Sequence, residues 1–383
     1  MNPVDRNIST EVGRHDSPNQ SKRLAFADGL RGLAACWVVL FHMSEGEHIE
    51  ALRAAIPPVV YRVLFSMGDL GVPVFFVLSG YVMALSTAKL NFNASVGLRF
   101  VVRRLIRLMP AYYFAIAFVL ALAAVKYKVM GQGLIHFDSQ TLAAHALLLQ
   151  GMMGIKNIDP VFWTLCIEIQ FYVVFAMLMW AQSRFSGGSC ESGNRRYFLY
   201  ALLLSSAVAM LWPLGFVFGS LWPGGFLPYW YCFMAGVWAC VARDGTRLAR
   251  ICAISYALMV MASGLWVTSG VALTAATTAM LLMWAAYRGK EGVWLSARWV
   301  QFLGLVSYSL YLIHNPLTGA TFNVFKRFSP SGPVSDAVAI ALVAAVCVVG
   351  SYIAYLLIER PSIALSRRVR LVATPAPAMP CAN

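Results

Sequence analysis

Six ionisable residues lie in four stretches apolar enough to sit in lipid: Asp28, Arg31, His42, Asp69, Glu168 and His314, with Glu359 at the edge of a fifth such stretch. A charge in a bilayer is costly, so each of these groups is either paired or put to use. In LAFADGLRGLAACWVVLFHM, Arg31 and His42 are eleven positions apart. On a helix that is close to three turns, which puts both on one face about 16 Å apart. Asp28, three residues before Arg31, can pair with it. An imidazole titrates near neutrality and can take or give a proton. The plainer reading of the same residues is a buried ion pair and a hydrogen-bonded core histidine.

Further along, GDLGVPVFFVLSGYVM places Asp69 level with His42, where it could orient the imidazole or simply cap the helix that follows. Gly71, Pro73 and Gly80 are expected to weaken that helix and allow close backbone approach. FVVRRLIRLMP sets Arg103 and Arg107 at i and i+4 with Arg104 beside them. Planar guanidinium forks are what a phosphate-bearing ligand needs, although a basic run beside a membrane can serve only to fix topology or meet anionic lipid. In PVFWTLCIEIQFYVVFA, Glu168 and Gln170 fall in mid-span among Trp163, Phe171 and Tyr172. SYSLYLIHNP repeats Ser307, Tyr311 and His314 at i, i+4 and i+7, one polar stripe on one helix face. Such a stripe belongs against a bundle core or a cavity, not against lipid.

The elements that must hold these residues follow from composition. Of 383 residues, 60% are apolar and only 12% charged, and the mean hydropathy is +0.68. Ordinary globular domains carry about 25% charged residues. The fold class expected is all-α: a polytopic helical bundle in a lipid bilayer. Nucleic-acid binders, disulfide scaffolds and disordered chains are excluded despite a net charge of +14. Cys36, Cys166, Cys232, Cys240, Cys252 and Cys347 lie in apolar runs, Cys190 and Cys381 in polar ones, and no CxxC pair suggests a metal site. Residues 1–23 lack the features of a cleaved signal, so the first apolar stretch is read as a retained helix.

Apolar segments of spanning length fall at about 24–43, 60–86, 105–125, 160–180, 197–218, 225–242, 251–268, 271–287, 301–322 and 334–358. The segment 141–154 is short for a crossing. With ten spans, an inside N-terminus and 141–154 re-entrant or interfacial, 22 of the 30 Lys and Arg residues fall inside and 7 outside, with Arg31 within a span. If 141–154 crossed, this bias would collapse, so ten spans with both termini cytoplasmic is the expected topology. The expected organisation is a cytoplasmic tail 1–23, a membrane domain 24–360 and a cytoplasmic tail 361–383. No internal repeat is visible, and WPLGF and WPGGF (212–216 and 222–226) mark a tight turn on the outer side.

Taken together, the Arg-x10-His pattern of Arg31 and His42, Gly68–Tyr81, Phe100–Pro110, Phe162–Tyr172 and Leu303–Pro316 resemble the acyltransferase-3 family of multi-pass membrane O-acyltransferases. The motifs run in order over nearly the whole chain. The resemblance implies a cytoplasmic acyl-CoA donor, usually acetyl-CoA, used as co-substrate with no permanently bound cofactor. It also implies a hydroxyl acceptor on a glycan or glycolipid at the outer face of the bacterial inner membrane. Under it, His42 is the catalytic group with Arg31 its companion, and Glu168 lines the site; Asp69, by its place level with His42, is counted with Glu168 among the expected catalytic residues. Arg103, Arg104 and Arg107 would serve the donor, with Ser307, Tyr311 and His314 lining the site. With the last expected span close to residue 360, no appended extracytoplasmic domain is expected, and the resemblance is then to the standalone members that modify exopolysaccharide or other envelope glycans. Acyl transfer from a thioester needs a base and groups that stabilise an oxyanion, and His42 could act as base or be acylated itself. The competing reading is a transporter or flippase of a sugar-linked or acylated lipid, using the same charges as a path. A non-catalytic scaffold would leave the polar stripes without a purpose.

Overall fold

The computed structural model describes residues 24–88, 90, 92–130, 137–185, 191–219 and 221–371. Residues 1–23 and 372–383 of the two expected tails lie outside that description, as do Lys89 and Cys190. A helix runs through each expected span, although in 197–218 it stops at Met210 and turns follow. In chain order the elements are α1 (Ala25–Glu45), α2 (Glu50–Ala55), a run of short turns leading into α3 (Gly71–Thr87), α4 (Ala94–Met130), α5 (Ser139–Ala146), α6 (Trp163–Phe185), α7 (Glu191–Met210), α8 (Trp230–Asp244), α9 (Arg247–Trp266), α10 (Gly270–Tyr287), α11 (Arg298–Phe325), α12 (Pro333–Ala354) and α13 (Arg360–Ser366). Among the described residues there is no strand.

Seven of these helical stretches are long and apolar enough to cross a bilayer. The other three expected spans differ for physical reasons. In α7 the apolar part is only Phe198–Met210. Helix α8 has 15 residues, about 22 Å of rise against a hydrocarbon core of about 30 Å. It is sheathed in protein, with Cys232, Phe233, Val237, Trp238 and Ala239 all buried. Helix α11 is long enough, but its polar stripe faces inward and lowers its apolarity.

The segment 141–154 does not form a span. Its helix, α5, has eight residues, about 12 Å of rise, and turns follow through Gly154. Asp138 caps α5 by accepting from the Thr141 amide at 2.8 Å. His145 staples it to the chain beyond: its Nδ1 faces the Thr141 carbonyl at 2.8 Å, and its Nε2 accepts from the Ile158 amide at 3.0 Å.

Two glycine crossings set the geometry of the bundle. Helix α1 packs on α11 with Gly32 against the Gly304 backbone, where an added Cβ would meet the Gly304 nitrogen at 2.5 Å. Helix α3 packs on α8 with Gly80 against the Phe233 carbonyl and Gly236 against the Val77 carbonyl. Gly80 is therefore a contact residue in an unbroken helix. Pro73, expected to weaken α3, stands in its first turn, where the missing N–H has no intrahelical partner to lose.

The connection from α10 to α11 is tied down at the basic end of the bundle. Tyr81 Oη donates to Glu291 Oε1 at 2.5 Å, and Arg243 Nε pairs with Glu291 Oε2 at 3.2 Å. The Phe26 amide donates to the Glu291 carbonyl at 2.8 Å. Gln301 Nε2 donates to the carbonyls of Ala25 and Leu295 at 2.8 and 2.7 Å.

Candidate active site

The α1–α11 crossing brings the first and penultimate long helices together, and Asp28 and Arg31 of α1 and Arg298 of α11 open into a cavity of about 560 Å³. Four guanidinium groups line it: Arg31 from α1, Arg104 and Arg107 from α4, and Arg298 from the start of α11. Three carboxyl groups, Asp28, Glu168 and Glu359, face the same space, which leaves the lining one positive charge in surplus when all are ionised. Asp28 Oδ1 lies 3.7 Å from Arg31 Nη1. Among the described residues neither Arg107 nor Arg298 is ion-paired. Both are therefore available to an anion.

Polar partners fix the carboxyl groups. Glu168 Oε1 accepts from Ser79 Oγ at 2.6 Å and from Tyr172 Oη. Glu359 Oε2 accepts from Ser309 Oγ at 2.6 Å. Arg104 spreads over the rings of Phe100 and Tyr172, each centroid 5.6 Å from its Cζ, and its Nη2 donates weakly to Ser86 Oγ at 3.4 Å. Stacked between two rings, the guanidinium is held in place while keeping its charge.

His42 is not in this cavity. It lies three turns further along α1, on a second cavity of about 310 Å³ shared with Glu45, Asp69, Trp163 and Tyr229. Val72 and Tyr311 line both cavities and form the partition between them. The Tyr311 ring is fixed from three sides. Thr164 Oγ1 donates to its Oη at 3.0 Å, its Oη reaches the Val161 carbonyl at 3.4 Å, and Phe75 meets it edge-on at 5.4 Å.

The Nδ1 of His42 pairs with Glu45 Oε2 at 2.7 Å. The imidazole is 12% exposed, and its ring centroid stands 5.1 Å from that of His314. His314 is fully buried. Its Nδ1 faces the carbonyls of Leu310 and Tyr311 at 3.1 and 2.9 Å, while its Nε2 has no hydrogen-bond partner. Nearby, Asp159 accepts from the Val161 amide at 3.1 Å and from Asn315 Nδ2 at 3.1 Å. Burial pushes the Asp159 carboxyl up, and these two donors and His42 oppose the rise.

The structure thus distributes the expected residues. Arg31, Glu168, Arg104, Arg107, Ser307 and Tyr311 line the inner cavity, while His42, Asp69 and again Tyr311 line the outer one. His314 packs behind the partition, its ring 6.0 Å from that of Tyr311. Arg103 lines neither cavity. Asp69 sits in the turn Gly68–Leu70, and α3 begins without a side-chain cap, so capping is not its task. Gln170, expected beside Glu168, points the other way and donates to the Gly224 carbonyl at 2.9 Å. Gly224, in the WPGGF turn, has the left-handed φ of +61° that glycine tolerates.

Sequence reasoning missed Glu45, Thr164, Asp159 and Arg298. Glu45 was within reach, because it stands three residues after His42 on the same helix. Thr164 carried no signal, since its role depends on where α11 lies.

The family model for an acyltransferase domain matches residues 24–356. BcsY of Komagataeibacter xylinus, whose name calls it a membrane-bound transacylase, is 27% identical over 372 residues, covering 90% of this chain and 84% of that protein. Nodulation protein 10 of Rhizobium leguminosarum bv. viciae is 31% identical over 168 residues, covering 40% of this chain and 43% of that protein. No solved structure matches. The matched region holds His42, the arginines, the Tyr311 partition and every residue of the two cavity walls except Glu359 and Ile363, and the chain belongs to the acyltransferase-3 family of membrane acyltransferases.

Proposed function

We propose that this protein is an O-acyltransferase of the bacterial inner membrane, with both termini cytoplasmic. In this reading it moves an acyl group, acetyl foremost, from cytoplasmic acyl-CoA to a hydroxyl of an envelope or exported glycan. One observation carries the reading: an arginine-lined cavity and a histidine-bearing cavity share a wall, Val72 and Tyr311, with Arg31 on one side and His42 on the other. A donor with phosphates suits the first, and a proton-accepting group on the wall of the second suits a hydroxyl. A volume of about 560 Å³ falls within the range of about 300–1,000 Å³ usual for small-molecule sites.

In this mechanism Arg104 and Arg107 hold donor phosphate oxygens through charge-assisted hydrogen bonds. The thioester lies at the Tyr311 partition. The Nε2 of His42 accepts the acceptor's proton as the hydroxyl oxygen attacks the thioester carbonyl. The C–S bond then breaks, and CoA leaves as a thiol after taking up a proton. A covalent route uses the same atom: Nε2 attacks the carbonyl and the C–S bond breaks to release CoA thiolate. The hydroxyl oxygen then attacks the acyl-imidazole, the N–acyl bond breaks to free Nε2, and the hydroxyl's proton balances the one the thiolate takes up.

The experiment is purified protein in liposomes with radiolabelled acetyl-CoA and an envelope glycan fraction. The wild type is expected to release CoA and label the glycan. His42→Gln is expected to bind acetyl-CoA as well as the wild type and to lose a factor of roughly 10² to 10⁴ in rate. Near-normal turnover by His42→Gln would overturn the mechanism, and glycan translocation without CoA release would establish the transporter reading instead.

A further inference from the structure

The outer cavity contains a group whose position helix stability does not explain. Glu45 stands in the last turn of α1, where its carboxylate opposes the negative end of the helix dipole. It also shares the cavity with a second carboxylate, Asp69. Both placements are electrostatically unfavourable. What Glu45 gains is one contact: its Oε2 lies 2.7 Å from Nδ1 of His42.

That contact bears on which ring nitrogen carries the proton. His314 has its Nδ1 directed at the Leu310 and Tyr311 carbonyls, which holds a proton there and leaves Nε2 as a bare acceptor. Its ring is 5.1 Å from the His42 ring. An unpartnered acceptor beside the His42 ring is a second place to which an imidazole N–H could be given. If His42 gave that N–H from Nε2 to His314, its lone pair would move to Nδ1. The Glu45 carboxylate, an acceptor only, requires the proton on Nδ1 and keeps the lone pair on Nε2.

We infer that Glu45 is the positioning residue of His42, fixing the ring and selecting the tautomer whose Nε2 is free to accept a proton or attack a thioester. This rests on the catalytic reading of His42 given above. Glu45 does not touch the acyl group; it acts through the imidazole. A carboxylate behind a working histidine recurs wherever one tautomer must be enforced.

The test compares Glu45→Ala, Glu45→Gln, His42→Gln and the double variant His42→Gln/Glu45→Ala, purified in detergent and assayed for acetyl-CoA affinity, thermal midpoint and acetyl transfer to an envelope glycan fraction. Glu45→Ala is expected to lose about 10- to 100-fold in turnover, as for other groups that orient a histidine, with acetyl-CoA affinity and midpoint unchanged. Glu45→Gln, whose amide oxygen still accepts from Nδ1, is expected to retain more activity than the alanine variant. The double variant is expected to be no slower than His42→Gln alone, because residues acting as a unit are not additive. Glu45→Ala turning over at the wild-type rate beside a silent His42→Gln would overturn the inference and leave the catalytic reading intact. Equal losses of affinity, midpoint and turnover would also overturn it, by making Glu45 structural. Activity in His42→Gln would instead overturn the reading on which the inference rests.

Discussion

The hydroxyl of Thr164 donates to Tyr311 Oη at 3.0 Å, and this bond ties the helix that carries Glu168 to the ring dividing the two cavities. Tyr311 is 7% exposed and Thr164 6%, so the partition is closely packed. In the proposed mechanism a thioester held by the arginines and the acceptor hydroxyl meet where this ring stands.

Tyr311→Ala should therefore join the cavities and admit water to the thioester. CoA thiol released by purified protein without any acceptor is expected to rise several-fold relative to acyl transfer. Tyr311→Phe keeps the ring and loses a hydrogen bond worth about 1 kcal/mol, so its leak should be smaller. Equal, unchanged hydrolysis in both variants would mean the ring does not separate the compartments.

The arginines divide by position. Arg104→Ala is expected to weaken acetyl-CoA binding on the order of 1.5–3 kcal/mol, the worth of a hydrogen bond to a charged group, which is roughly 10- to 150-fold. Arg103→Ala, which lines neither cavity, is expected to change it far less. Isothermal titration of the folded variants decides this. An Arg103/Arg104/Arg107 triple alanine variant that binds normally would assign the cluster to topology alone.

Reporter fusions after Lys128 and after Lys156 should give the same side of the membrane. Between them lies α5, whose eight residues are far too few to cross. Opposite sides would break the charge-based topology.

The α3–α8 crossing has no room for a methyl group. Gly236→Ala drives a Cβ into the Val77 carbonyl, whereas Gly319 has nothing within 4 Å of the same atom. Gly236→Ala is expected to cost about 1–3 kcal/mol and lower the thermal midpoint, with Gly319→Ala close to neutral. Equal midpoints would show that the bundle relaxes around the crossing.

Burial pushes the His145 imidazole below its ordinary value of 6.5. The folded form thus binds fewer protons than the unfolded chain near that pH. Its contribution to stability is complete above about 6.5 and is lost as the pH falls toward the folded value. Hydrogen exchange at Ile158 and along 139–146, corrected for intrinsic rate, should therefore accelerate as the pH is lowered from 7.5 to 5.5. Protection that does not change over that interval would mean that His145 titrates without opening the loop.

Much of this was legible in one dimension. The spans came from runs of apolar residues, and the non-crossing segment from how Lys and Arg fall around it. The stripe of Ser307 and Tyr311 came from helical periodicity. What escaped depends on helices distant in sequence. Thr164 matters because Tyr311, 147 positions away, lies over it. Glu168 was expected in mid-span, yet which groups satisfy it, Ser79 from α3 and Tyr172 from its own helix, was not readable. The division into two cavities was also hidden, since no periodicity shows that Val72 and Tyr311 meet. Asp69 misled because an acidic residue just before a helix suggests a cap, and the turn Gly68–Leu70 intervenes.

The wide turn Tyr355–Glu359, between α12 and α13, closes i→i+5 bonds where a regular helix would close i→i+4. It amounts to one surplus residue in an otherwise continuous rod, and it sets the azimuth of everything beyond it. Through it Glu359 meets Ser309, and Ser362 Oγ reaches the Arg107 carbonyl at 3.0 Å. Removing a single residue between 355 and 358 would restore a regular helix and turn the downstream segment by about 100°. Both contacts would then swing off the inner cavity although no cavity side chain had been altered. The chain therefore encodes part of its site as a phase, and a one-residue deletion there should be more damaging than most substitutions nearby.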